Sequence, residues 1–485
     1  ENTASSVNIK ERLDFSCAVF GPDGELVANA PHIPVHLGSM SQSVQTVIRD
    51  RRATMRPGDV FMQNAPYNGG THLPDVTVVT PVFSPKGDDV WFYIASRGHH
   101  ADIGGITPGS MPPNSRTIDD EGVLIDDFQV VDRGLFLEQE TLDLLASGKH
   151  PARNPRENIA DFKAHIAANA RGQEQLLKLV DQYGLDVVQA YMRHVRDNAE
   201  ESVRRVLDRL EDGSFEYETD FGAKVAVKIT VDRASRSAVI DFAGTSPQVD
   251  TNYNAPQAIC MAAVLYVFRC LTGADIPLNA GCLVPLDIRI PDGSMLKPHY
   301  PAAVVGGNVE TSQYITDTLF GAVKAVAASQ GTVNNFTFGN ARYQYYETIC
   351  GGSGAGDGFD GASAVHVHMT NTRLTDPEIL EWRYPVRLDS FEVRTGSGGK
   401  GKWHGGDGVI RKVRFLEPMT AAILSSHRSV PPYGMAGGEP GRCGHNYVVR
   451  KDGSVEELTG RDKAEMNPDD VFVIETPGGG GWGKA

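Results

Sequence analysis

The spacing of apolar and polar positions divides the chain into segments of different period. Residues 13–20 and 25–29 read as two strands around the turn Gly21-Pro22-Asp23-Gly24. Residues 76–83 and 90–96 read as a second hairpin around Pro85-Lys86-Gly87-Asp88-Asp89. From about 155 to 212 the apolar positions Val188, Tyr191, Met192, Val195, Ala199, Val203, Val206 and Leu210 recur mostly at helical steps, with Gly184 punctuating two helices. Their charged outer face fits either solvent or a partner. Strands are expected again at 224–231 and 237–242, a buried helix at 258–271 and a further helix at 311–328. After Arg342 the text is β-rich and full of glycine.

These periods predict an α+β fold: a large β-rich, multi-lobed unit with a helical insertion. The expected lobes are 1–150, β-rich with a hairpin; 151–212, helical; 213–300, α+β; and 301–485, glycine-rich α+β. The length, 485 residues, suits two to four domains or one interwoven unit.

Composition narrows the function classes. With 40% hydrophobic and 22% charged residues the chain can build a sizeable core, which excludes wholesale disorder. A net charge of −15 and the lack of a basic stripe argue against nucleic acid and against an anionic membrane surface. An anionic substrate would need local Arg, Lys or metal. Cys17, Cys260, Cys270, Cys282, Cys350 and Cys443 form no CxxC pair, so a reducing, cytoplasmic setting is expected. Cys17 reads as a buried thiol or, less simply, a nucleophile. The longest apolar run, 258–268, is too short to span a bilayer. No signal peptide leads the chain, and its start at Glu1 suggests a processed chain or a fragment whose natural start lies upstream.

The strongest chemical signal lies between Asn64 and Gly105. The text Asn64-Ala-Pro-Tyr-Asn-Gly-Gly-Thr-His72-Leu-Pro-Asp75 leads into the second hairpin, which closes with Arg97-Gly-His99-His100-Ala-Asp102. A turn centred near residues 86 and 87 places Asp75 opposite Gly98, beside His99, and His72 opposite Ala101. Adjacent strands lie about 4.8 Å apart, so His72 and Asp75 are delivered against His99, His100 and Asp102. Imidazole plus carboxylate suits Zn²⁺, Mn²⁺ or Fe²⁺. Spacing alone leaves two meanings open, a metal site and a hydrogen-bonded polar network.

Other groupings are weaker. His366-Val-His368 reads as a strand with both imidazoles on one face, followed by Asn371 and Arg373, whose guanidinium suits a substrate carboxylate; a polar strand edge is the plainer reading. Gly306-Gly307-Asn308 reads as a turn feeding a helix N-terminus, either an anion site or simple capping by Thr311 or Ser312. Gly396 to Gly401 matches GxGxxG in form, yet Trp403 and the strand-like 408–415 exclude a nucleotide loop. No cofactor-binding motif remains.

Several stretches together resemble the hydantoinase B/oxoprolinase family. They are Asn8-Ile-Lys-Glu-Arg-Leu-Asp14, Pro31-His-Ile-Pro-Val-His36, Thr71-His-Leu-Pro-Asp75, His99-His-Ala-Asp-Ile-Gly-Gly, His366-Val-His-Met-Thr-Asn-Thr-Arg373 and Thr476-Pro-Gly-Gly-Gly-Gly. Residues 101–113, 182–192 and 375–384 look like the C-terminal half of ATP-dependent 5-oxoprolinases. The family's usual stretch before Asn8 and its ATP-binding half are missing here.

The resemblance implies a division of labour. A hydantoinase A-like half, in the same chain or in a partner subunit, binds ATP and Mg²⁺ and phosphorylates the lactam oxygen of 5-oxoproline. The half seen here then opens the ring with water to release glutamate and phosphate, within a hetero-oligomer. By position, the implied metal ligands are His72, Asp75 and one of His99 or His100. Asp102 or His100 is the implied base or orienting group, and Arg373, Asn371 and glycine-loop amides are candidate donors to developing charge. His366, His368, Asn371 and Asn308 are candidate substrate contacts. Alternatives within the resemblance are the B subunit of an ATP-dependent hydantoinase or N-methylhydantoinase, and that of an acetone- or acetophenone-type carboxylase. A non-catalytic structural subunit is a further one.

Overall fold

The computed structural model describes residues 2–30 and 32–485; the start at Glu1 and Pro31 of the resemblance motif lie outside the described residues. The second hairpin is the centre of a seven-stranded antiparallel sheet. Its order is Leu26–Asn29, Phe15–Phe20, Val90–His99, Asp75–Phe83, Val60–Gln63, Phe128–Asp132, Leu135–Phe136. Strand Asp75–Phe83 is buried at every position but its last, because both faces of the sheet are covered.

Alternation along Val90–His99 sorts its side chains between two helices. Tyr93 and Ala95 pack with Leu37, Met40 and Val44 of helix Pro34–Arg51. Phe92 and Ile94 pack with Leu176 and Val180 of helix Pro155–Tyr183 on the other face. Arg97, fully buried, points to the first helix and donates to Ser39 Oγ (2.5 Å), Ser43 Oγ (2.7 Å) and Thr77 Oγ1 (2.7 Å). Burial pulls its guanidinium down to about 10, opposed by the charge of Asp75. The helix is thereby pinned to the sheet just where the hairpin ends.

Helix Pro34–Arg51 is not anticipated by the β-rich reading of residues 1–150. Its sequence carries Gly38, Ser39, Ser41 and Ser43, weak helix formers. Tertiary packing supplies the stability instead. A Cβ at Gly38 would lie 2.5 Å from Ala262 Cα, so this helix meets helix Gln257–Leu271 at backbone distance. The latter is apolar nearly all round, as its sequence indicated, and its core extends to the sheet Leu286–Arg289, Ser237–Asp241, Lys224–Asp232, Gly213–Glu218 and to helix Ser312–Ala322. Helices Pro155–Tyr183 and Leu185–Leu207 meet at Gly184, where the periodicity placed the break.

The C-terminal region packs two antiparallel sheets around Phe336, Phe338, Val413, Phe415 and Phe472. One carries Gln344–Glu347, Asn335–Gly339, Met419–Leu424 and Arg461–Met466; the other carries Val386–Val393, Val409–Phe415, Val471–Glu475, His445–Val449 and Val455–Leu458. Arg411 of the second grips Glu347 of the first through two bonds of 2.7 and 2.9 Å, both side chains buried. Beside them, glycine segments pack main chain on main chain: Gly479 N–H donates to Gly406 O (2.9 Å) and Gly406 N–H to Ser353 O (2.9 Å). The GxGxxG-like stretch belongs to this layer and leads into strand Val409–Phe415.

Three local expectations need correction. The hairpin pairs Asp75 with His99 rather than Gly98, because a bulge between Val82 and Phe83 shifts the register by one. The segment containing His366 and His368 is a turn, with His368 at φ +55°, so the two imidazoles do not share a strand face. The helix expected over 311–328 ends at Ala322 and is preceded by a π-turn, Gly307–Thr311.

Candidate metal centre

The loop before Asp75 is folded by its glycines and by Asn64. Gly69 adopts φ +88°, and a Cβ at Gly70 would lie 2.4 Å from Asn64 O, so the chain doubles back where a side chain has no room. Asn64 Nδ2 donates to Leu73 O (2.8 Å), and Asp75 N–H donates to His72 O (3.1 Å). This turn brings His72 back over the start of its own strand. His100 N–H donates to Pro74 O (2.9 Å), which closes the hairpin end.

The result is a buried cluster of His72, Asp75 and His99. One ligand atom from each lies within 4.8 Å of the others, a set able to hold a metal ion. His99 Nδ1 is 3.2 Å from Asp75 Oδ1, His72 Nδ1 is 3.4 Å from Asp75 Oδ2, and His72 Nε2 is 3.3 Å from His99 Nδ1. His72 Nδ1, Asp75 Oδ1 and His99 Nε2 are buried without a hydrogen bond. Buried polar atoms are ordinarily satisfied, so three unpartnered atoms on three neighbouring side chains fit a site for a cation.

Electrostatics keeps His72 and Asp75 in the protonation states that bind metal. Burial drives His72 down to about 3, against the pull of Asp75. Burial also works against the charge of Asp75, but His72, His36 and His99 outweigh it and hold its carboxyl well below the usual range. A neutral imidazole beside an ionised carboxylate is what a divalent ion requires.

A further imidazole, which no spacing argument found, joins the cluster. His36, in the first turn of helix Pro34–Arg51, places Nε2 3.2 Å from Asp75 Oδ2 and 3.9 Å from Asp14 Oδ1. Its Nδ1 lies 3.2 Å from Ser16 Oγ. Asp14 and His36 stand in two of the resembling stretches, but their convergence depends on a helix that the sequence pattern does not reveal. Tyr346 stacks on His99 with centroids 4.4 Å apart, and the guanidinium carbon of Arg12 lies over the same tyrosine ring, 4.9 Å from its centroid.

Of the other residues singled out from sequence, Asn308 is brought to the cluster, with Nδ2 3.4 Å from Asp75 Oδ2. His100 is not. Being next to His99, it points to the opposite face, where Nδ1 meets Asn158 Nδ2 (3.2 Å) and the ring stacks near His165. Asp102 is turned to Arg153 (2.9 Å) and to Gly104 N–H (2.9 Å); burial raises its carboxyl, and Arg153 counters this. His368 Nε2 is 3.0 Å from Asp317 Oδ1, and neither nitrogen of His366 has a partner. Asn371 is exposed and donates to His32 O (3.2 Å), while Arg373 is exposed, with its main-chain N–H on Arg12 O (2.8 Å).

The fold and the cluster define an α+β protein with a buried two-imidazole, one-carboxylate centre at the end of a hairpin. Across residues 1–485 the sequence matches the family model for hydantoinase B/oxoprolinase, and the chain belongs to that family. It is 49% identical to 5-oxoprolinase 1 of Arabidopsis thaliana, covering 100% of this chain and 40% of that protein. It is 47% identical to the 5-oxoprolinase of Saccharomyces cerevisiae, covering 99% and 40%. The chain thus spans about two fifths of the length of these curated relatives. The crystal structure of the ATP-dependent caprolactamase from Pseudomonas jessenii superposes with a TM-score of 0.89 at 24% identity, covering 100% of this chain and 87% of that one, which is a likeness of fold.

Proposed function

We propose that this chain is the ring-opening half of an ATP-dependent cyclic amide hydrolase of the 5-oxoprolinase type. The reaction is 5-oxoproline, ATP and water to glutamate, ADP and phosphate. A hydantoinase A-like half, covalently joined or a separate subunit, binds ATP and Mg²⁺ and phosphorylates the lactam oxygen. The observation that carries this reading is the buried His72–Asp75–His99 cluster in a chain that aligns end to end with one portion of named 5-oxoprolinases.

A lactam resists water because amide resonance lowers the electrophilicity of its carbonyl. Phosphorylation of the oxygen removes that protection and installs a leaving group. A first water adds to the carbon and the C–N bond breaks, its protons going to the nitrogen, which departs as an amine and leaves an acyl phosphate; a second water then displaces phosphate to give the carboxylate. His72, Asp75 and His99 would hold a divalent ion, Zn²⁺, Mn²⁺ or Fe²⁺, which when bound supplies Lewis acidity to an oxygen at the reacting carbon. His36 keeps one oxygen of Asp75 engaged, so that the carboxylate has a single orientation. Tyr346, Ile33, Val35 and Met369 wall the crevice with ring and aliphatic surface, which limits bulk water around the cluster.

The setting is cytoplasmic, in keeping with six unpaired cysteines and with no described helix long and apolar enough to cross a membrane. The working particle is a hetero-oligomer or a fused chain with the ATP-binding half. The test reconstitutes that complex and measures ATP hydrolysis with 5-oxoproline, hydantoin, or a ketone plus bicarbonate, each alone. We expect 5-oxoproline to stimulate ATP hydrolysis with stoichiometric glutamate. Stimulation by hydantoin alone, or by the ketone alone, would reassign the substrate. Full activity after loss of His72 and Asp75 would make the chain a structural subunit.

A further inference from the structure

The crevice that holds the His72–Asp75–His99 cluster has a second polar wall. It is built by Asn308, in the π-turn Gly307–Thr311, and by Ser312 and Gln313, which open the helix behind it. All three side chains are buried, at 2%, 0% and 0% exposure, and each carries an oxygen without a hydrogen-bond partner: Asn308 Oδ1, Ser312 Oγ and Gln313 Oε1. Single π-turns inside helices recur at functional sites because they turn side chains out of the regular α-helical register.

The two amides cannot be reversed. Gln313 Nε2 donates to Val367 O (3.1 Å), and a flipped amide would set its oxygen against that carbonyl. Asn308 Nδ2 faces the Asp75 carboxylate at 3.4 Å, with the same consequence. The free atoms are therefore two carbonyl-type acceptors and one hydroxyl. No lysine or arginine lines the crevice among the described residues. Such a wall suits N–H donors.

We propose that Gln313, with Ser312 and Asn308, reads the ring N–H of a cyclic amide and receives the nitrogen as the ring opens. The assignment rests on the functional reading above and extends it to substrate selection. In opening of the O-phosphorylated ring the acyl carbon gains the water oxygen and keeps the phosphate as an acyl phosphate, the C–N electron pair stays on nitrogen, and both water protons move there. The nitrogen thus ends with more N–H bonds than it began with. Acceptors at that point bind the amine better than the amide, and so favour opening. A site built to accept from an N–H discriminates strongly against an analogue that lacks it.

The experiment uses the complex with the ATP-binding half and compares 5-oxoproline with N-methyl-5-oxoproline. Wild type, Gln313→Met and Ser312→Ala are matched for metal content and thermal midpoint. Discrimination exerted by the other half is common to all three proteins and cancels in the comparison. We expect wild type to prefer the N–H substrate by about 100-fold or more in kcat/KM. In Gln313→Met this preference falls to about 10-fold or less, through loss of activity on the N–H substrate with the N-methyl substrate little changed. Ser312→Ala loses about 3-fold of the preference, and serves alone if Gln313→Met does not fold. An unchanged preference in either folded variant overturns the assignment and leaves the functional reading standing. Turnover of hydantoin but not of 5-oxoproline overturns that substrate only, and the same comparison then runs on hydantoin and its N-methyl derivative. Turnover of no cyclic amide by wild type overturns both.

Discussion

Asp75 and His99 stand directly opposite each other on adjacent strands, and their side chains meet on one face of the sheet with Oδ1 3.2 Å from Nδ1. The contact is set by register. A one-residue slip would exchange His99 for Gly98 or His100, and alternation would send the imidazole to the other face. The bulge between Val82 and Phe83 is therefore as much a part of the centre as the side chains themselves.

His72→Ala and Asp75→Ala are expected to lose bound divalent metal, whereas His100→Ala keeps it. His72 and Asp75 belong to the three-residue cluster, and His100 lies on the opposite face beside Asn158 and Phe162. Elemental analysis of the three purified variants beside wild type decides the matter. Equal metal in His72→Ala, Asp75→Ala and wild type would dismiss the proposed ligands.

Acid sensitivity follows from histidines kept neutral by burial. His100 is pushed down to about 3 from an ordinary 6.5. Below pH 6.5 the unfolded chain takes up a proton there that the folded chain refuses, so stability is complete above that pH and falls as the pH drops toward 3. By pH 5 this one site costs about 2 kcal/mol. Asp75 has the opposite sense of shift: its carboxyl is held down, so its contribution persists to lower pH and is lost only below the ordinary carboxylate range. Denaturant unfolding at pH 7.5 and pH 5.0 should therefore show a smaller loss for His100→Leu than for wild type, by about 2 kcal/mol. Identical losses would mean that His100 is not shielded as described.

Much of this centre was readable from spacing, and the limits of that reading have physical causes. His72, Asp75 and the closing His99-His100 pair were legible because a hairpin is a local object, whose turn residues and alternation fix which positions meet. The choice between His99 and His100 was not legible, since a bulge leaves no clear mark in the composition and yet shifts the register by one. His36 was missed because its helix is encoded by packing against Ala262 and Arg97, contacts far away in sequence, rather than by an amphipathic stripe. The helical pair around Gly184 was legible for the converse reason: it is long, strongly periodic and marked by a glycine at φ +84°. The His366 turn was misread as strand because alternation of apolar and polar residues also occurs in extended loops.

His36→Ala should weaken metal binding without abolishing it. The imidazole touches Asp75 Oδ2 from a helix that is itself tied to the sheet by Arg97. Removing it takes away one of the contacts that orient the carboxylate, and loss of such an orienting partner typically lowers metal affinity 10- to 100-fold. His36→Gln, which keeps a donor near the same place, should recover part of the affinity. A competition titration against a chromogenic chelator measures this independently of turnover. If all three proteins bind metal equally, His36 does not orient the carboxylate.

The glycine layer makes the last prediction, through two substitutions of the same kind with unequal cost. Gly479 lies where main chains cross; a Cβ there would sit 1.9 Å from Ser353 O and 2.3 Å from Ser353 C, atoms that no side-chain movement can relieve. Gly134 has φ +87° and nothing within 4 Å of its would-be Cβ, so alanine there meets only the backbone penalty of the left-handed region, about 1–2 kcal/mol. Gly479→Ala must separate segments whose main-chain hydrogen bonds run from Gly479 to Gly406 and from Gly480 to Ala328, and the layer is expected to open. Gly134→Ala should purify as folded protein with a thermal midpoint a few degrees below wild type, and Gly479→Ala should be insoluble or far less stable. Comparable midpoints for the two would show that this layer is loose enough to admit a methyl group, and that the close approach of its chains is not what holds the C-terminal region together.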